Sequence, residues 1–181
     1  MTSIDEIAPA IDRVREGFRD GVVRAVVDRE TQLRQLKRLL VEQEEVLTTA
    51  LHDDLGKSPI EAYSTEIGFT LNELDHALNH VRSWTQPQKV HLPMHLRPGS
   101  GRIVQEPLGT VLIIAPWNYP VQLLIEPLAA AIAAGNAAVV KPSELAPATS
   151  AVLADLLRTY LDDAIQVVEG GPEVEIGRAH V

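Results

Sequence analysis

Cysteine is absent from the 181-residue sequence. That excludes a disulfide framework and any chemistry carried by a thiol of this chain. Aromatic residues are scarce at 4%, so a core must be built from Leu, Val, Ile and Ala. Positive charge is short as well: 16 Lys and Arg stand against 25 Asp and Glu, a net charge of −9 with His neutral. Nucleic acids and anionic membranes call for a basic face, and this balance argues against both. Long apolar runs are missing. Val111 to Pro116 and Leu128 to Ala134 are too short to cross a bilayer, and Asp5, Glu6, Asp12 and Arg13 break up the start, leaving no signal peptide. The expected location is cytoplasmic. No G-x-G-x-x-G fingerprint, internal repeat or low-complexity segment is found.

What is there fits one globular domain: 45% of residues are hydrophobic and 23% charged. Residues 1–86 are charged and helical in pattern, 87–107 form a connector and strand arm with Pro87, Pro93 and Pro98 in or near it, and 108–174 are apolar and punctuated. In the first part Leu33, Leu36, Leu40, Leu47 and Leu51 recur mostly at three- and four-residue steps. They predict one amphipathic helix, broken near Gly56. A coiled coil is the alternative, though the heptads are not sustained. Ser58, Pro59 and Glu61 then start another helix in the manner of a capping box. Ile67, Leu71, Leu74, Leu78 and Val81 form its stripe, ending near Trp84.

The second part alternates element types. Val111–Ala115 reads as a buried strand, followed by a helical stretch that Pro120 opens and that contains Leu123, Leu124, Leu128 and Ile132. Pro127 predicts a kink there, or two short helices, and Gly135 with Asn136 suits the end. Ala137–Val140 reads as a second strand, 148–161 as a helix and Ile165–Val168 as a third strand. The pattern is βαβαβ, an α/β fold holding part of a doubly wound, Rossmann-like parallel sheet preceded by long helices. Ligands on such sheets bind past the carboxyl ends of the strands, where the loops Pro116–Pro120, Lys141–Glu144 and Gly170–Pro172 emerge.

Four blocks occur in order: EPLG (Glu106–Gly109), APWNYP (Ala115–Pro120), AAGN (Ala133–Asn136) and KPSE (Lys141–Glu144). Together they resemble the aldehyde dehydrogenase superfamily. ALHDDLGKS (Ala50–Ser58), EAYSTE (Glu61–Glu66) and Tyr119 are similar to its class 3 branch. The resemblance covers about residues 8 to 174 and implies an N-terminal, incomplete NAD(P)-binding domain over 1–174. It implies oxidation of a small-molecule aldehyde to an acid with NAD or NADP, by a parent protein that is a homodimer. In that chemistry a cysteine thiolate attacks the carbonyl and a Glu-activated water releases the acid.

The resemblance assigns Asn118 as the side-chain donor to the oxyanion, and Lys141 with Glu144 as the pair that brackets the adenosine ribose hydroxyls. Ser143 lies in the same cofactor-binding block, and Pro116 and Trp117 line the cofactor channel. Other readings of these residues stay open. Asn118 could serve only the backbone of its turn, Lys141 and Glu144 could be a solvated pair, and Trp117 could belong to the core. A carboxylate facing a 2′-hydroxyl favours NAD over NADP, although the class 3 resemblance implies that either is accepted.

His76, His80 and Glu73 share a helix face at a metal-compatible spacing, but no further ligand cluster follows and no metal is expected. His91 and His95 are expected at the surface, and Arg34, Lys37 and Arg38 on a solvated helix face. Departures from the family pattern are the missing catalytic Cys, general-base Glu and glycine-rich pyrophosphate loop. They predict that the chain alone is inactive. The competing readings are a catalytically dead cofactor-binding or interaction module, and a fragment of an acyl-phosphate or acyl-CoA reductase, against which the WNYP block argues. Residues 175–181, EIGRAHV, fit no family element and are expected to be a non-native tail. GAG ATC GGA AGA GCA CAC GTC encodes them and, from its second base, reads as a sequencing-library adapter. Nucleotide sequence matching that string is the expected result; genomic reads continuing through different codons to a stop would refute it.

Overall fold

The structure is a computed structural model that describes residues 2–171. Helix α1 (Ile4–Asp20) is followed by α2 (Val26–Glu42), α3 (Glu44–Leu55) and the single turn α4 (Pro59–Ala62). A π-helical turn, Tyr63–Ile67, leads directly into α5 (Gly68–Trp84). Strands β1 (Gln88–Val90) and β2 (Gly101–Ile103) pair antiparallel as a small arm. The remainder runs β3 (Thr110–Ile114), α6 (Gln122–Ala134), β4 (Ala137–Lys141), α7 (Pro147–Tyr160) and β5 (Ile165–Val167). Those three strands form a parallel sheet in the order β3-β4-β5, so the βαβαβ expectation holds. Among the described residues no helix is long and apolar enough to cross a membrane.

Strand β4 is buried along its whole length, and its alternating side chains feed two cores. Ala138 and Val140 join the larger one, with Leu33, Leu36 and Leu40 of α2, Leu74 of α5, Leu124 and Leu128 of α6, and Leu153 of α7. Ala137 and Val139 face the other way, against Ile7, Ala10 and Val14 of α1. A central parallel strand has to be apolar on both faces because helices cover both. Strand β3 departs from the expectation of full burial. Val111 and Ile113 pack on the larger core, but Leu112 and Ile114 are 47% and 51% exposed. Leu112 pairs in register with Val139 and so looks toward the α1 side, where α1 meets this outer strand but leaves these two side chains open.

Two other expectations change. The single helix through Leu33–Leu51 is two helices, divided at Gln43 (φ −113°, ψ 19°). Gln43 donates from Nε2 to the Tyr160 hydroxyl at 3.1 Å, and that hydroxyl donates to Glu42 at 2.7 Å. A bend held from α7, more than a hundred residues on, leaves no trace in local periodicity. α2 packs on α5, α6 and α7, which replaces the coiled-coil alternative. Of the two readings for Pro127, that of two short helices is not met, because α6 runs through it as one element. The loss of one helical N–H is outweighed there by burial of Leu124, Ile125, Leu128, Ala129 and Ile132.

The turn between α6 and β4 joins two of the sequence blocks. Gly135 caps α6 at φ 87°, and its N–H donates to Ala131 and Ile132. Asn136 Oδ1 accepts the Gly109 N–H at 2.9 Å, and Ala137 N–H donates to the Gly109 carbonyl at 3.0 Å. That bracket sets the β3–β4 register. Arg29, 8% exposed, donates to the carbonyls of Val23, Arg24 and Ala133 and packs on Gly135 so closely that a Cβ there would lie 2.5 Å from its guanidinium carbon. Gly135→Ala therefore combines a left-handed φ with a clash. Urea unfolding is expected to show a loss of about 2 kcal/mol or more; an unchanged midpoint would contradict this packing.

Candidate functional site

The carboxyl ends of β3 and β4 lie side by side, tied where Ala115 N–H donates to the Lys141 carbonyl at 3.0 Å. From this edge the APWNYP and KPSE loops project together, as the doubly wound pattern requires. Pro116, Trp117, Asn118 and Tyr119 are all exposed, bounded by buried Ala115 and Pro120. Trp117 is 50% exposed, so the alternative of a core role is not met. The Asn118 side-chain amide makes no hydrogen bond among the described residues. Its backbone carbonyl does, accepting from Lys57 Nζ at 3.1 Å. The turn thus presents an amide that serves no backbone group, contrary to the bland reading.

Lys141 ends the fully buried strand β4 and is 1% exposed. Its ammonium donates to Glu144 Oε2 at 2.8 Å and to the Pro142 carbonyl at 3.4 Å. A freely solvated pair does not describe it, because only the Glu144 end reaches water. The Lys141 ammonium holds the Glu144 carboxyl below the usual carboxylate range. Ser143 is buried beside them, and its Oγ accepts the Leu145 N–H at 3.2 Å, shaping the entry to α7. All six sequence-predicted site residues therefore flank one edge of the sheet.

Three further residues belong to this edge and were not picked out from the sequence. Glu66, in the π turn, is fully buried and accepts from the N–H groups of Val121 at 2.8 Å and Gln122 at 3.3 Å. It thereby caps α6, whose own N-terminal residues offer no side-chain cap. Its other oxygen accepts from Lys57 Nζ at 2.5 Å, and that ammonium also lies 4.1 Å from the Tyr119 ring centroid. Asp54 of α3 does the same for α7, accepting the N–H groups of Ala148 at 3.0 Å and Thr149 at 2.7 Å. The cue in the sequence was that all three lie inside the ALHDDLGKS and EAYSTE blocks, which carried the class 3 resemblance but no role for any residue. The missing glycine fingerprint now has a physical counterpart. In the usual dinucleotide fold the first crossover helix receives the pyrophosphate on its N-terminal amides; here a protein carboxylate already occupies them.

Elsewhere the residues weighed for chemistry do structural work or none. The His76 and His80 rings stack at 4.2 Å beside Trp84, and among the described residues no three His, Cys, Asp or Glu side chains gather as a metal site. His91 and His95 are exposed. Lys37 and Arg38 pair with Asp75 and Glu42 on the helix surface, and exposed Arg34 reaches back to buried Glu30. A cleft of about 430 Å³, lined in part by Arg29, Trp84 and Glu106, lies toward the opposite end of the sheet and shares no residue with the two loops. Residues 175–181, read as a tail, lie outside the described residues.

Comparison with known proteins matches residues 2–179 to the aldehyde dehydrogenase family model. The chain is 45% identical over 166 residues to aldehyde dehydrogenase family 3 member H1 of Arabidopsis thaliana, covering 91% of this chain and 34% of that protein. It is 43% identical to family 3 member B1 of Bos taurus, covering 97% and 37%. The solved substrate-bound state of Staphylococcus aureus AldH superimposes with a TM-score of 0.94 at 40% identity, covering 100% of this chain and 39% of that one. The chain thus spans about a third of the length of the curated relatives it matches.

Because Lys141 lowers the Glu144 pKa, any stability from the pair is complete above the ordinary carboxylate range and is lost as pH falls through the lowered value. A carboxyl-carbon NMR titration should place the Glu144 midpoint below the usual range and return it there in Lys141→Met. An ordinary midpoint with Lys141 intact would show that the pair does not persist in solution.

Proposed function

This chain belongs to the aldehyde dehydrogenase family, and on that premise we propose that it supplies the oxyanion-facing and cofactor-facing edge of an NAD(P)-dependent aldehyde oxidation. The observation that carries the reading is the pairing of an exposed, unbonded Asn118 amide with a buried Lys141 and its Glu144 on adjoining strand ends. The donor set suits an adenosine ribose: an ammonium that donates and a carboxylate that accepts can bracket a vicinal diol. NAD or NADP, when bound, takes up the hydride equivalent that the aldehyde loses as it becomes an acid. Glu144 bears a negative charge where a 2′-phosphate would have to sit, which tilts the edge toward NAD. Pro116 and Trp117 offer exposed apolar surface between the two loops, and buried Ser143 keeps the Lys141 loop in shape.

Asn118 acts at the other reacting centre. As a nucleophile adds to the aldehyde, the carbonyl oxygen gains charge, and a fixed amide N–H stabilises that charge without reorganising. On this reading the cysteine nucleophile lies outside these 181 residues, since the sequence has none. The chain by itself is therefore inactive.

Two measurements test the reading. With aliphatic and aromatic aldehydes and NAD or NADP, the 181-residue chain is expected to form no more NADH or NADPH than a no-enzyme blank. Turnover above the blank, abolished by Asn118→Ala, would overturn the inactivity. In a hybrid where residues 2–171 replace the matching segment of Staphylococcus aureus AldH, activity is expected to persist. There Asn118→Ala should lower kcat by about a hundredfold or more. A hybrid indifferent to that substitution removes Asn118 from the chemistry.

A further inference from the structure

Lys57 and Glu66 form an ion pair that is 8% and 0% exposed, and burial of such a pair is seldom justified by stability alone. Its contacts beyond itself converge on one short segment. Lys57 Nζ reaches the Asn118 carbonyl and the Tyr119 ring, and Glu66 takes the Val121 and Gln122 N–H groups. Pro120, between them, has no N–H to offer. The segment from 118 to 122 is thus held on both sides of its proline by one buried pair, while residues 116–119 are exposed. Asn118 itself contributes nothing to that hold through its side chain, so the direction of its amide is set by the backbone alone.

Resting on the reading of Asn118 as the oxyanion donor, we propose that Lys57 and Glu66 are positioning residues that aim Asn118 by clamping the backbone of its turn. Both come from the helical first part of the chain, Lys57 just after α3 and Glu66 from the π turn before α5. A π turn carries one extra residue and recurs where a helix must direct a particular side chain. Here it delivers a carboxylate to the start of α6. A misplacement of about 1 Å in a reacting group can cost about a hundredfold in rate, which is the scale on which such a clamp matters.

The test uses Lys57→Met/Glu66→Gln, which removes both charges together and leaves no unpaired ion to unfold the protein. In the 181-residue chain, amide exchange at Val121 and Gln122 is expected to quicken about tenfold or more, while Ile132 in α6 and Leu153 in α7 keep their protection. In a Trp84→Phe background, Trp117 becomes the only tryptophan, and its quenching by acrylamide should rise with the same double substitution. Lys57→Arg with Glu66 unchanged, which keeps the ion pair, should leave both signals near those of the unsubstituted chain. Unchanged exchange at Val121 and Gln122, or an equal loss across the core, overturns the clamp. In the Staphylococcus aureus hybrid the double variant should lower kcat with little change in KM, and should add no further loss to Asn118→Ala. Losses that multiply show an action not routed through Asn118 and overturn the proposal. If Asn118→Ala costs activity but the double variant does not, the clamp fails and the oxyanion reading stands. If Asn118→Ala is silent, the oxyanion reading fails and takes the proposal with it, whatever the exchange data show.

Discussion

A carboxylate with no access to water has to be paid for by its partners, and Glu66 has three: the Lys57 ammonium and the N–H groups of Val121 and Gln122 at the start of α6. Much of the site edge depends on that arrangement. It closes the N-terminus of the first crossover helix, fixes the turn that bears Asn118, and joins the helical first part of the chain to the sheet. Asp54 repeats the device at the second crossover helix. Both helix N-termini at the carboxyl edge of the sheet are therefore capped by acids from α3 and the π turn. The favourable end of each helix dipole is answered by the protein itself.

This wiring bears on how the edge can meet a ligand. With α6 and α7 capped, the groups left facing outward are side chains: the Asn118 amide on one loop, and Glu144 with the ammonium of Lys141 behind it on the next. The residues on the two loops are divided in the same way. Pro116 to Tyr119 are exposed, whereas Lys141 and Ser143 are buried and reach the edge only through Glu144 and the loop backbone. An exposed turn held from below and an exposed carboxylate held by a buried lysine are two ways of limiting the freedom of a polar group before anything binds. Both reduce the ordering cost at the moment of binding.

Local pattern carried much of the architecture. β-branched runs marked β3, β4 and β5, the positive-φ glycine marked the end of α6, and Ser58 capped α4 through the Glu61 N–H at 3.2 Å. Each of these is decided by neighbours within four or five residues, so each is visible in a string. The departures are all long-range. The bend at Gln43 is held from Tyr160, α6 continues through Pro127 because its flanks are buried, and alternate residues of β3 are exposed because α1 leaves one face of this outer strand open. For the site, the ordered blocks brought six residues to notice, and the structure gathers all six at one edge of the sheet. Lys57, Glu66 and Asp54 lay in quoted blocks but were given no role, because a charged residue in or beside an amphipathic helix normally points to solvent. Only the fold shows which ones turn inward.

By itself, then, the sequence determined that the first part is helical, the parallel βαβαβ unit that follows and the membership of the chain in its family, because periodicity, turn chemistry and ordered motifs are local properties. It also determined that no cysteine of this chain takes part in any reaction. Tertiary structure alone decided which carboxylates cap which helices, and that Lys141 is buried while its partner Glu144 reaches water. It also decided that the segment bearing Asn118 is held by hydrogen bonds from residues 55 to 61 positions earlier in the chain. The reason is physical. The cost of burying a charge is met by groups that the fold brings close, and closeness in the fold is not closeness along the chain.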